Sequence, residues 1–179
     1  MRATVFLVLL MTCFTSTQAN AQAKPDYYLL MAMSSYKCAH VQGASQADGG
    51  TISQWQCRDQ KQLDPPKSFQ WEKISIGGEY FMLRAKHSGK CAQVNAASKE
   101  DGAPITQWDC QRNRPHFHWK QVLAENKAGD RYYYIVNRVS DKCMHVLGGK
   151  NDDGALITQW ACVNQPNVKW MVIGRGRID

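Results

Sequence analysis

The sequence predicts an all-β fold made of three similar units, and two repeated motifs carry this prediction. The first motif, Lys-Cys-x-x-Val, occurs at 37–41, 90–94 and 142–146. The second motif, x-Gln-Trp-x-Cys, follows at 53–57, 106–110 and 158–162. The copies succeed one another at 53 and then 52 residues. Self-similarity at a fixed period indicates one supersecondary unit that is used three times.

Each unit contains four short apolar or aromatic runs separated by turn residues, which is the pattern of β-strands. The predicted strands of the three units are, in order, Tyr27–Met31, Cys38–Val41, Ile52–Trp55 and Phe69–Ile74; Tyr80–Leu83, Cys91–Val94, Ile105–Trp108 and Phe117–Val122; and Tyr132–Val136, Cys143–Val146, Leu156–Trp160 and Val168–Ile173. A late tryptophan closes each unit, at Trp71, Trp119 and Trp170, and we expect these three to lie in the core. Twelve strands in three units predict a closed pseudo-threefold architecture, because closure pairs the strand edges.

The loop between the second and third strands of each unit carries an Asp-Gly step, at 48–49, 101–102 and 153–154. Glycine adopts the backbone angles that such turns need. Calcium binding is the alternative use of these aspartates, but the ligand alternation of an EF-hand is absent, so the sequence favours a turn. The first unit also has an insertion before its last strand, at Lys61–Pro66.

Residues 1–23 resemble a secretory signal peptide, with Arg2, the apolar run Val5–Met11 and the small-residue end Ala21-Gln22-Ala23. The apolar run is too short to span a membrane, so no transmembrane segment is expected. We therefore expect a secreted protein, extracellular or periplasmic. Its single domain would cover residues 24–179, with repeats at about 24–77, 78–128 and 129–179.

Six cysteines remain after residue 23, two in each unit and 19 positions apart. An even number in a secreted chain indicates disulfides. Fifteen pairings are open in principle, and the repeat register favours the three pairs within units, Cys38–Cys57, Cys91–Cys110 and Cys143–Cys162. A structural zinc site is the competing use, but the chain has no C-x-x-C pair, and no metal or other cofactor is expected.

The formal net charge is +7, which can attract acidic glycans, lipids or nucleic acid. The lysines and arginines are scattered along the sequence, apart from Arg175-Gly176-Arg177. Scattered charge favours solubility over a specific polyanion site, so nucleic acid is not an expected partner.

The two motifs and the late tryptophan of each unit together resemble the ricin B-type lectin family, over residues 27–173. The resemblance implies a β-trefoil and one shallow sugar site in each repeat. In that family a carboxylate and amides bind the sugar hydroxyls, while a ring packs against the apolar face of the sugar. The chain's partners would then be glycans or glycoconjugates, bound through several weak sites together.

Carried across by position, the resemblance implies ten candidate sugar-binding residues. The carboxylate position holds His40, Gln93 and His145; the polar position holds Ser53, Thr106 and Thr158; the ring position holds Trp55, Trp108 and Trp160; and Asn167 is the amide kept before the last tryptophan. None of the carboxylate positions is acidic, and the usual glutamine is replaced by Phe69, Phe117 and Val168. The third repeat is therefore expected to hold the best preserved site. A histidine with an ordinary pKa would make binding there sensitive to pH between about 6 and 7.

Three alternatives stay open at the level of sequence. The sugar sites could have decayed, so that the trefoil serves as a scaffold. The three ring tryptophans each lie near a cysteine and could pack on a disulfide instead of a ligand. The trefoil could also bind a separate protein chain, as a protease inhibitor or as the adhesion subunit of a secreted toxin, with the insertion Lys61–Pro66 as the contact loop. An enzyme is not expected, because no nucleophile elbow, zinc-protease helix motif or phosphate loop occurs.

Overall fold

A computed structural model describes residues 26–57 and 65–175 and shows twelve β-strands in antiparallel pairs. The strands are β1 Tyr27–Ala32, β2 Cys38–Val41, β3 Ile52–Trp55, β4 Trp71–Gly77, β5 Tyr80–Ala85, β6 Cys91–Val94, β7 Ile105–Trp108, β8 Trp119–Lys127, β9 Asp130–Asn137, β10 Cys143–Val146, β11 Ile157–Trp160 and β12 Trp170–Arg175. The four-stranded repeat that the sequence predicts is thus present three times.

Six of the strands close into a barrel. β1 pairs with β12 and β4, β5 pairs with β4 and β8, and β9 pairs with β8 and β12, so the ring has no free edge. The other six strands form three hairpins, β2–β3, β6–β7 and β10–β11. This arrangement is a β-trefoil with pseudo-threefold symmetry, which confirms the predicted fold class.

The late tryptophans form the centre of the core, as predicted. Trp71, Trp119 and Trp170 are at most 1% exposed and share one cluster with the barrel's aliphatic side chains. Each indole N–H donates to a backbone carbonyl of the second strand of its own repeat, at 3.0, 3.0 and 2.8 Å. A buried indole needs such a partner, so these bonds fix the hairpins onto the barrel.

The last strand of each repeat begins two residues later than predicted. Phe69, Phe117 and Val168 lie instead at the ends of short 3-10 turns, at 67–69, 115–117 and 166–168. All three side chains are buried beside the first cysteine of their repeat, in three small clusters outside the barrel core. Their apolar character therefore reflects packing under the hairpins rather than strand formation.

The three disulfides pair as the repeat register predicts, Cys38–Cys57, Cys91–Cys110 and Cys143–Cys162. In each pair the first cysteine is completely buried. Each bond joins the first strand of a hairpin to the segment just after its second strand.

The Asp-Gly steps form turns, with glycine φ angles of 77°, 80° and 84° at Gly49, Gly102 and Gly154. The aspartates are structural, since each binds a backbone N–H and a lysine of another repeat. Asp48 accepts from the N–H of Asp109 and pairs with Lys90. Asp101 accepts from the N–H of Ala161 and pairs with Lys142, and Asp153 accepts from the N–H of Gln56 and pairs with Lys37. In the described part of the chain, no three His, Cys, Asp or Glu side chains gather as metal ligands.

The glutamine of each x-Gln-Trp-x-Cys motif joins neighbouring repeats, a role that the sequence did not indicate. Gln54, Gln107 and Gln159 are fully buried. The amide of Gln107 donates to Ser45 O and Ala47 O, at 2.7 and 2.9 Å, and accepts from the hydroxyl of Ser88. The other two glutamines make the same three bonds to their own neighbours.

Three predictions fall wholly or partly outside the described residues: the signal peptide at 1–23, most of the insertion at 61–66, and the basic cluster at 175–177. Within residues 26–57 and 65–175, no helix has the length and apolarity to cross a membrane.

Candidate functional site

The first two predicted contact positions of each repeat lie opposite one another across a hairpin. The strand register pairs His40 with Ser53, Gln93 with Thr106 and His145 with Thr158. Their side chains are hydrogen-bonded to each other, at 3.1, 3.2 and 2.9 Å, and all six residues are at most 7% exposed. These pairs form the floor of each candidate site, with much of their polar capacity used internally.

The ring tryptophans form the walls of the sites and remain open to solvent. Trp55, Trp108 and Trp160 are 43%, 39% and 39% exposed. One edge of each ring rests on the Asp-Gly turn of another repeat, since a Cβ at Gly49, Gly102 or Gly154 would lie about 4 Å from it. The rings are thus held in place from one side and available from the other.

In the first repeat an aromatic stack occupies the floor. The imidazole of His40 is stacked on Phe69, with 4.7 Å between the ring centroids and 13° between the planes. It also meets Trp55 edge to face, at 5.9 Å. His40 therefore packs as a core aromatic residue as much as a polar group.

In the third repeat the imidazole of His145 lies against the tryptophan itself. The centroids of His145 and Trp160 are 5.5 Å apart and the planes differ by 30°. Asn167 lies beside the turn at Gly149, where a Cβ would be 3.5 Å from its Nδ2. The imidazole of His145 is thus a direct neighbour of the Trp160 ring.

In the second repeat the residue at the same position is Gln93, which carries no ring, and a pocket of about 250 Å³ opens there. Its lining combines an exposed ring, buried floor groups and a polar rim: Gln93, Asn95, Ala96, Trp108, Gln111, His116 and Phe117. The sequence did not single out Asn95, Ala96 or Gln111, because they lie in the loops after β6 and β7, which carry no motif. His116 aligns with Asn167 through the shared Pro-x-apolar turn.

A comparison with protein families places this geometry in a known context. The model of the ricin-type β-trefoil lectin domain-like family matches the chain three times, at residues 14–108, 67–160 and 118–178. The chain belongs to this family. The resemblance that the two motifs and the late tryptophans indicated is thereby confirmed.

Several solved structures share the trefoil. A designed threefold-symmetric protein, ThreeFoil, is 31% identical, with a TM-score of 0.71 and coverage of 82% of this chain and 97% of its own. An exo-β-1,3-galactanase from Clostridium thermocellum is 30% identical, with a TM-score of 0.71 over 83% of this chain but only 30% of its own. The C-half of an earthworm R-type lectin, solved with GalNAc, is 17% identical, with a TM-score of 0.63 over 84% of this chain and 100% of its own. No curated protein sequence matches significantly.

Within this lectin-like trefoil, burial changes the expected titration of the site histidines. Burial lowers the pKa of His40 from 6.5 to about 4, with Asp153 opposing that shift and His87 adding to it by weaker charge interactions. Burial also lowers the pKa of His145, against a smaller effect of Asp101. Both histidines are therefore neutral near pH 7, and any pH sensitivity moves below the range of 6 to 7 expected from an ordinary histidine.

We expect the buried imidazole of His40 to make folding stability depend on pH. Unfolded chains take up a proton at this residue near pH 6.5, whereas the folded protein resists protonation until about pH 4. Stability should thus be full above pH 6.5 and fall, by about 2 kcal/mol, as the pH drops towards 4. Urea unfolding at a series of pH values measures this loss.

The matched variant is His40→Gln, since the second repeat carries glutamine at the equivalent Gln93. The variant should lose less stability than the wild type between pH 6.5 and 4, because glutamine does not titrate. Parallel pH profiles of the two proteins would show that His40 is not the group responsible.

Proposed function

We propose that this chain is a secreted, non-catalytic lectin that binds glycans, with its best formed site in the second repeat. The observation that carries the proposal is the pocket beside Trp108, which combines an exposed ring with convergent amide groups. Membership of a lectin-like family supports the same function. The sugar-binding roles of the residues in the other two repeats remain predictions.

The pocket offers both kinds of contact that a sugar needs. The face of Trp108 can pack against the C–H face of a pyranose. Around it, the amides of Gln93, Asn95 and Gln111 each provide donors and an acceptor for hydroxyl groups. Gln93 donates one Nε2–H to Thr106, so its second N–H and its carbonyl oxygen are the groups that can contact a sugar hydroxyl.

The structure favours the second repeat as the sugar site, whereas the sequence favours the third. In the third repeat His145 lies against Trp160, and in the first His40 is stacked on Phe69. The second repeat has an amide and no ring at this position, and a pocket lies beside its tryptophan. Sugar binding in the first or third repeat would require the imidazole to move or to form part of the contact surface.

A glycan-array screen of the wild type beside Trp108→Ala and Trp160→Ala tests this proposal. We expect Trp108→Ala to weaken binding about tenfold, because it removes the ring that packs on the sugar. Trp160→Ala is the matched control, since its exposure and its contact with a glycine turn are the same. Gln111→Ala is a second test of the same pocket, because it changes the rim without altering the hairpin, and it should also weaken binding.

The other outcomes separate the alternatives. Loss of binding in Trp160→Ala alone would place the site in the third repeat, as the sequence predicted. Absence of binding to every glycan at high density, where avidity rescues weak sites, would contradict the lectin proposal and favour a protein partner.

A further inference from the structure

We propose that the second-repeat site accepts a glycan carrying a negatively charged group, held at the pocket rim by Arg114 and His116. This inference rests on the proposed lectin function and names the class of sugar. A sulfate ester and a sugar carboxylate share the required chemistry.

Three arginines and two histidines, four of them at alternate positions within 112–118, lie together near the turn 115–117. Arg112, Arg114, His116 and His118 belong to the segment between β7 and β8, and Arg138 joins them from the loop after β9. The ring of His118 is the centre of this cluster: its Nε2–H donates to Arg112 O at 3.1 Å, and Arg138 Nη1 donates to its Nδ1 at 3.4 Å. His116 connects the cluster to the pocket, which it lines.

Among the described residues, none of the three arginines forms an ion pair with a carboxylate. Burial lowers the pKa of His116, and the positive charges of Arg114 and His118 lower it further. The nearby hairpin does carry Asp109, but Lys90 holds both that carboxylate and Asp48.

The third repeat shows that the fold does not require these charges. The segment equivalent to 112–116 is 163–167, which reads Val-Asn-Gln-Pro-Asn and has no charged side chain; Lys169, which aligns with His118, is paired with Glu125. This segment still forms the same proline-started 3-10 turn, Pro166–Val168 beside Pro115–Phe117. The cations of the second repeat are therefore additional to what the turn needs.

Two of the three arginines are already engaged, and the third is available. Arg112 donates to Ser75 O at 3.1 Å, and the guanidinium of Arg138 lies 4.7 Å from the centroid of the Tyr80 ring. Arg114 is exposed and precedes the turn that carries His116. An anion bound there would gain a guanidinium contact, and it would favour the protonated form of His116.

The test compares the binding of lactose, sulfated lactose and sialyllactose by the full chain. We expect each charged sugar to bind about fivefold more tightly than lactose at low salt, as for a partly exposed ion pair. This gain should shrink between about 0.05 M and about 0.5 M salt, because screening increases. The two charged probes distinguish sulfate from carboxylate recognition.

The decisive variant is Arg114→Gln, which copies the third repeat's Gln165. It should remove the gain and leave lactose binding unchanged. Lys127→Gln, at the tip of the β8–β9 hairpin, removes the same net charge elsewhere and should keep the gain. Equal binding of all three sugars by the wild type, or an unchanged gain in Arg114→Gln, would overturn the inference while the lectin function stood. No binding of any sugar, in this test and on the glycan array, would overturn both.

Discussion

Reduction of the three disulfides is expected to unfold this protein at room temperature. Each bond joins cysteines separated by 19 positions, and closing a loop of that length contributes about 3 kcal/mol. Three bonds contribute about 9 kcal/mol, against a total stability of roughly 5–15 kcal/mol for a single domain. Tryptophan fluorescence and circular dichroism, recorded with and without dithiothreitol, measure the effect.

The reductant has access to these bonds because Cys110 and Cys162 are exposed and Cys57 is partly exposed. Removing one bond, in the double variant Cys91→Ser with Cys110→Ser, is the graded control. It should cost about 3 kcal/mol and leave the protein folded, with a lower melting temperature. A reduced protein with the unfolding midpoint of the oxidised one would show that the barrel core alone supplies the stability.

The sequence was sufficient for the fold because each repeat carries the same structural residues. Cysteines, Asp-Gly turns and late tryptophans recur in register, and each has one structural role in all three copies. The first residue of the last strand in each repeat was less predictable. Phe69, Phe117 and Val168 are apolar because they pack under the hairpins, and they do not belong to the strand. They fill small clusters under the hairpins, and a side chain buried in a 3-10 turn resembles a strand residue in sequence.

The candidate site was only partly predictable. The exposure of Trp55, Trp108 and Trp160 depends on which ring face a neighbouring repeat covers, and that contact is tertiary. The sequence favoured the third repeat because it retains Asn167, but the position of the His145 ring against Trp160 could not be inferred from the motif. The sequence shows Arg112, Arg114, His116 and His118 close together, but the contact of Arg138 with His118 depends on the fold.

The buried glutamines indicate how the three repeats become one cooperative unit. Each repeat's hairpin receives backbone bonds from the turn of another repeat, such as Gly49 N–H to Gln107 O at 2.9 Å. The glutamine side chain adds two more bonds to the same turn. Since each repeat binds a neighbour in this way, the contacts form a closed cycle, and no repeat can open without loss of contacts to both others.

Gln107→Met is therefore expected to destabilise the whole trefoil, by about 3 kcal/mol. Methionine keeps the volume of the fully buried side chain but leaves Ser45 O, Ala47 O and the hydroxyl of Ser88 without their amide partner. A buried polar group that loses its partner costs about 1–3 kcal/mol, and the two carbonyls lie in a loop where water relieves part of that cost. Urea unfolding should show a single transition at a lower midpoint.

Gln111→Ala is the control for Gln107→Met, because Gln111 lies on the pocket rim and its side chain makes no described hydrogen bond to a turn of another repeat. That variant should unfold as the wild type does. A second unfolding transition in Gln107→Met, with two repeats unaffected, would show that the repeats fold independently. An unchanged midpoint would show that backbone bonds alone hold them together.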